Sequence, residues 1–314
     1  MRRIMGMLVA FCLIGGGLVL PLDSWARQDK WPYKEMVTVA SVNFTPITGD
    51  KAATLQKMKD FTVKAAKMGA NIILFPELAL VGIPAAQDAP KVAETIPGPS
   101  TLEMANLARE LNVYIIFGMI ERKGKDLYNA AAVVGPQGIM GAHYKVHPFG
   151  PMEPWATKGK EFNLYQTEYG PIGIGICYSS YLFPETARSY AVRGVRLFFN
   201  ATAFPEFPDC SDYKHFYMTT LGCRAIENSM FVVSSNMVGK VGGVPFFGYS
   251  VILGPRPGHM SYSVFAGPAS DKEEEIVCAS LNLRSVEFLP SPTATILEDR
   301  NPEVYGHLVA PLRK

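Results

Sequence analysis

From residue 36 onward the apolar positions repeat with two periods. Short runs rich in β-branched and aromatic residues at 37–42, 71–75, 114–119, 129–134 and 139–144 predict strands. So do the runs at 172–176, 195–199, 231–235, 249–253 and 276–283. Helical spacing lies between them. Asp50 can cap a helix whose inner face is Leu55, Met58, Phe61, Ala65 and Met68, closed by Gly69. Ser100 with Glu103 predicts a capping box ahead of a helix over 102–111. Further helices are expected over 184–193, ended by Gly194, and over 212–228. Helix and strand alternate at first, a meander of strands follows, and alternation then resumes. This predicts a mixed α/β layered architecture in one domain, with neither an internal repeat nor a linker between domains.

The polar residues that interrupt this pattern fall at matching places. Glu77, Lys145 and Cys177 each stand just past the C-terminal end of a predicted strand, the edge of an α/β sheet where ligand chemistry collects. Most free cysteines are buried as small apolar residues, and most carboxylates and lysines are surface groups. Cys177, however, follows residues 172–176 and precedes a helix opening at Pro184, so a strand-to-helix turn would hold its thiol on a sharp bend beside free backbone N–H groups. A carboxylate enclosed by Phe75, Pro76 and Leu78 suits the acceptance of a proton near neutral pH. Lys145 and the N–H after the cysteine can meet a developing oxyanion. Asn200 and Thr202, at the end of another strand, and Tyr178 are candidates for the substrate pocket.

Composition narrows the functional classes. Charged residues are 18% and hydrophobic residues 48%, which excludes a disordered chain, and 314 residues can bury a large core. Residues 1–26 read as a secretory leader: Arg2 and Arg3, an apolar run over 4–20, then Ser24 and Ala26 before a cleavage point. An uncleaved membrane anchor is the alternative. Either way the expected location is outside the cytoplasm, periplasmic or secreted. Without the leader, 28 basic residues face 27 acidic ones, a balance that gives no reason to expect nucleic acid or a membrane surface as partner. Cys177, Cys210, Cys223 and Cys278 then remain, with no metal-site spacing among them. A Cys210–Cys223 bridge is conceivable but not favoured.

The same residues carry a resemblance. LFPEL (74–78), YKVH (144–147) and GICY…FPE (175–185) are similar to the three signature stretches of the nitrilase superfamily of carbon–nitrogen hydrolases. YNAAAVVGPQG (128–138), CRAIENSMFVVSSNMVG (223–239), GYSVILGPRPG (248–258) and DRNPEVY (299–305) extend it, in the family's order, over nearly all of residues 27–314. The resemblance implies a four-layer α-β-β-α sandwich and a triad of Glu77 as base, Lys145 as oxyanion stabiliser and Cys177 as nucleophile. Glu153 matches a second glutamate found in many members. It further implies hydrolysis of small linear amides, no metal or organic cofactor, and a homodimer or larger homo-oligomer. A nitrilase or an N-carbamoyl amidohydrolase is the alternative, although Tyr178-Ser179 stands where true nitrilases usually have Trp-Glu. The chain departs from the family in having Ser179 where an acidic residue is common, and in a turn after Cys177 one residue longer than usual. Two other readings remain at this stage: a cysteine–histidine protease using His143 or His147, and an exported binding protein that has kept the fold without activity.

Overall fold

The computed structural model describes residues 32–288 and 296–310, apart from residues 208, 257, 258 and 260. The leader expected over residues 1–26 lies outside the described residues. The chain opens with β1 (Met36–Asn43), α1 (Lys51–Lys67), β2 (Ile72–Leu74), a short α2 (Ala89–Val92), α3 (Pro99–Leu111) and β3 (Tyr114–Lys123). β1, β2 and β3 run parallel, as strands joined by helical crossovers must. β4 (Asp126–Gly135) and β5 (Gly138–Tyr144) then return antiparallel through tight turns.

The second sheet follows. β6 (Tyr165–Thr167) turns into β7 (Gly170–Ile176), which leads through α4 (Tyr178–Tyr181) and α5 (Pro184–Ala191) to β8 (Leu197–Ala201). α6 (Tyr213–Asn228) carries the chain to β9 (Phe231–Ser235). A small hairpin of β10 (Val238–Val241) and β11 (Val244–Phe247) intervenes before β12 (Val251–Pro255), β13 (Tyr262–Ala266) and β14 (Glu275–Asn282). β14 crosses back to pair antiparallel with β1. The sheets are ordered β14-β1-β2-β3-β4-β5 and β13-β12-β9-β8-β7-β6.

Helices cover the outer face of each sheet. On the first, Leu55, Met58, Ala65, Met104 and Ala108 of α1 and α3 close on Ala40, Val42, Ile73, Ile115 and Phe117. On the second, Ala187, Tyr190, Tyr217, Leu221 and Ala225 of α5 and α6 close on Phe198, Val232, Val251 and Leu253. The inner faces meet at β1 and β9, where small hydroxyl residues cross-link the sheets: Ser41 donates to the Ser234 carbonyl at 2.7 Å and Ser235 to that of Val42 at 2.6 Å. The result is the α-β-β-α sandwich.

Five features differ from the sequence expectation. α3 starts at Pro99, and Thr101, not Ser100, accepts the Gly98 N–H at 2.8 Å. Ser100 is instead drawn to Glu94, donating through its hydroxyl and its N–H at 2.9 Å each, because that buried carboxylate needs donors beyond its 2.6 Å ion pair with Lys51. The sequence patterns missed the three-residue β6, and they missed the β10–β11 hairpin although Gly242 and Gly243, both with positive φ, mark its turn. The patterns also do not show β13, none of whose residues is buried. Finally, the strand order and senses repeat between the sheets although the sequences of the two halves do not.

Candidate active site

Glu77 follows β2 on a tight turn. Leu78 sits at φ 51°, and the turn is folded against β3, where Gly118 donates to the Pro76 carbonyl and accepts from Leu80. A Cβ on Gly118 would lie 2.1 Å from the Leu78 nitrogen, so this close approach of two backbones requires glycine. The Glu77 carboxylate ends up 3% exposed, with Oε2 accepting the Ala203 N–H at 2.9 Å.

Lys145 extends β5 by one residue, its N–H donating to the Asn129 carbonyl at 2.9 Å. Its ammonium is 2% exposed and bridges two carboxylates, Glu77 Oε1 at 2.7 Å and Glu153 Oε2 at 2.5 Å. Glu153 is positioned by the loop after β5: it closes a turn onto the Phe149 carbonyl, and its Oε2 accepts the Phe149 N–H at 2.7 Å. Asn129, in the middle of β4, donates its amide to Glu77 Oε1 at 2.7 Å and to Glu153 Oε1. Burial alone would discharge Lys145, but Glu77 and Glu153 outweigh it and raise its pKa. One cation thus serves two anions. Burial together with the surplus negative charge raises the Glu153 carboxyl above its ordinary range, against the pull of Lys145.

Cys177 occupies the bend between β7 and α4 at φ 46° and ψ −112°, a conformation strained for any residue with a Cβ. The surroundings hold it there. Its N–H donates to the Ala201 carbonyl at 2.9 Å, and its carbonyl accepts from Ser180 at 2.8 Å. Arg224 of α6 grips the Ser180 and Tyr181 carbonyls at 3.0 and 2.8 Å, and Thr186 the Ser179 carbonyl at 2.9 Å. Ser179, in the place of the family's acid, is fully buried; its hydroxyl accepts the His147 N–H at 3.1 Å and so ties this turn to the Lys145 loop. The sequence favours a thiolate at such a bend. The structure reverses this: burial and the Glu77 charge push the thiol up to about 12, although Lys145, the Thr202 hydroxyl and the Ala203 N–H pull the other way.

Glu77, Lys145, Glu153 and Cys177 open on one cavity of about 290 Å³. Tyr178 also lines it, and as the first residue of α4 its N–H has no acceptor within the helix. Asn200 does not reach it. It is buried behind Tyr181, donating to that hydroxyl and to Ser234 at 2.8 Å each, because the polar end of β8 is covered by α4. Thr202 is likewise fully buried, beside the thiol and off the cavity wall. No histidine lines the cavity among the described residues. His143 is fully buried, and burial lowers its pKa to about 3. His147 stacks on Phe183 at 3.6 Å and contacts Ser179. A histidine base therefore has no geometry here. The four cysteines of the described residues are all free, Cys210 and Cys223 included. Asn129 lies within one of the resembling stretches, and its signal as a site residue is an amide amid the apolar run of β4.

The model of the carbon-nitrogen hydrolase family matches residues 38–290, most of the chain. The chain belongs to the carbon-nitrogen hydrolase family. Among its relatives in that family, a probable nitrilase of Schizosaccharomyces pombe is 32% identical over 87% of this chain and 98% of its own length. An N-carbamoylputrescine amidase of Solanum lycopersicum is 30% identical over 87% of this chain and 95% of its own. The hydrolase fold is also that of an amidase from Nesterenkonia sp., with a TM-score of 0.74 at 22% identity, covering 87% of this chain and 96% of that one.

Proposed function

We propose that the protein hydrolyses the carbon–nitrogen bond of small linear amides through a thioester on Cys177. The observation that carries this reading is the buried Lys145, ion-paired to Glu77 and Glu153, on the wall of the cavity onto which Cys177 opens. With its pKa near 12 the resting nucleophile is a thiol, so Glu77 takes the proton as sulfur attacks the carbonyl carbon, not beforehand. Lys145 and the Tyr178 N–H receive the oxyanion; removing one donor of this kind typically costs about 2.7–4 kcal/mol of transition-state stabilisation. The tetrahedral intermediate collapses, the C–N bond breaks, and protonated Glu77 returns its proton to the leaving ammonia or amine. Glu77 then deprotonates the water that attacks the thioester, and the thiol takes the proton back as the acid is released. Glu153 and Asn129 hold Lys145 and Glu77 in register throughout.

An ammonia-release screen of short amides, N-carbamoyl compounds and nitriles tests the reading. Amides should give one acid and one amine or ammonia per turnover; preferential consumption of nitriles, or release of CO₂ from carbamoyl compounds, would select a different branch. Amide turnover at the wild-type rate by Cys177→Ala would refute the nucleophile. Export and homo-oligomeric assembly belong to the same reading, supported by the pattern of residues 1–26 and by the resemblance. Mass spectrometry of the mature N-terminus and light scattering check them.

A further inference from the structure

Resting on the amidase reading, the composition of the cavity wall says which amides. Beyond the reacting cluster the wall is built of apolar and aromatic side chains, among them Phe149, Trp155, Tyr181, Phe204, Phe207 and Phe216. Four of them form a connected set around Phe204, which meets Tyr181 edge-on with centroids 5.2 Å apart, Phe207 with centroids 5.5 Å apart and Phe216 with centroids 6.1 Å apart. The Tyr181 hydroxyl is already engaged by Asn200. The charged groups on the wall are Glu77, Lys145 and Glu153, and each is committed to another. Glu206, although it lies between the wall residues Pro205 and Phe207, is not part of the wall.

A substrate bearing a carboxylate on its acyl chain would therefore lose water and, among the described wall residues, find no cation except Lys145, which two carboxylates already neutralise. An ammonium at the far end of the acyl chain would lie away from Glu77 and Glu153, which are held at the reacting end by Lys145, Asn129 and the Ala203 N–H, and would find no other carboxylate among the described wall residues. Burying an uncompensated charge is strongly unfavourable, whereas alkyl or aryl carbon on such a wall gains from leaving water. The volume suits roughly six to ten non-hydrogen atoms at the ~30 Å³ that a water molecule takes in the liquid.

We infer that the enzyme acts on primary amides with an uncharged hydrophobic acyl group, alkyl or arylalkyl, and discriminates against acyl chains that end in a carboxylate or an ammonium. This excludes polyamine-derived carbamoyl compounds, whose free end is an ammonium at neutral pH. The acyl chain is expected to run toward the rim, where Leu182 and Phe207 are 52% and 42% exposed.

The test compares kcat/KM for hexanamide and 2-phenylacetamide with that for the matched adipic acid monoamide and 6-aminohexanamide. The neutral pair should exceed the charged pair by at least about 100-fold. Charged amides within threefold of hexanamide would overturn the inference and leave the amidase reading standing; no turnover of any amide, acetamide included, would remove both. Leu182→Arg, at a half-exposed rim position, supplies the missing cation. It should raise the adipamate-to-hexanamide ratio of kcat/KM at least tenfold. A ratio that does not move would mean that the acyl chain does not pass Leu182, and would overturn the assignment.

Discussion

The two sheets differ far more in chemistry than in design. Each has three parallel strands joined by helices, with antiparallel strands on either side: β14 beside β1-β2-β3, then β4 and β5; β6 beside β7-β8-β9, then β12 and β13. The loops after β2 and β8 hold equivalent places in this plan and touch each other. The first offers the Glu77 carboxylate and the second the Ala203 N–H that it accepts. The first sheet supplies the charge, Glu77 and Lys145, both buried and paired. The second supplies Cys177, after the first parallel strand, in a strained bend held by hydrogen bonds to its backbone. Repeated topology thus gives two similar strand-end edges facing one another, and the site arises because their loops are not alike. One edge carries ions that stabilise each other, and the other a neutral thiol that the fold constrains.

This contrast can be broken from either side. Cys177→Ala should lower turnover by about 10⁴-fold or more while leaving the circular dichroism spectrum and melting temperature nearly unchanged, because the thiol takes no part in holding the scaffold. Lys145→Ala should lose activity and also about 3–5 kcal/mol of stability in urea, since it leaves two buried carboxylates without their cation. If both variants lost activity with equal stability, the division between the halves would be wrong. Gly118→Ala should cost about 2–3 kcal/mol and reduce kcat, because the added methyl displaces the backbone carrying Glu77.

Glu153→Gln sharpens the electrostatic side. The folded Glu153 carboxyl keeps its proton to higher pH than the ordinary value of 4.5. Its contribution to stability is complete below that value and is lost as pH rises through the raised folded pKa. The glutamine variant should therefore show a shallower fall in unfolding free energy as the pH is raised above about 4.5, read from urea titrations at each pH. The smallest effect is expected from Ser179→Ala, which removes the acceptor of the His147 N–H: about 1 kcal/mol of stability and less than a tenfold change in kcat.

Much of the framework was legible because it rests on local period. The helix capped by Asp50 forms as α1, with Asp50 accepting the Ala53 N–H at 2.9 Å, and Leu55, Met58 and Ala65 turn inward as their spacing requires. Of its proposed face, Met68 is the exception: it caps the helix and is 51% exposed. Ser100 departs from the expected capping box because the local pattern competes with a carboxylate six residues away, whose burial is not a local property. Asn200 differs from its expected place on the cavity because its position at a strand end is a local fact, whereas its cover by Tyr181 is not.

By itself the sequence determined which strands end in chemistry, since Glu77, Lys145 and Cys177 interrupt apolar runs at positions that period alone identifies, and their motifs identified the family. Only the tertiary structure decided how those ends meet. It brought Asn129 and Glu153 to Lys145, set the thiol high beside Glu77, and turned His147 toward Phe183 and Ser179, away from the cavity. The physical reason is that strand periodicity is written in neighbouring residues, while desolvation and Coulomb energy depend on which groups share a buried space, and those groups lie up to 126 residues apart in the chain.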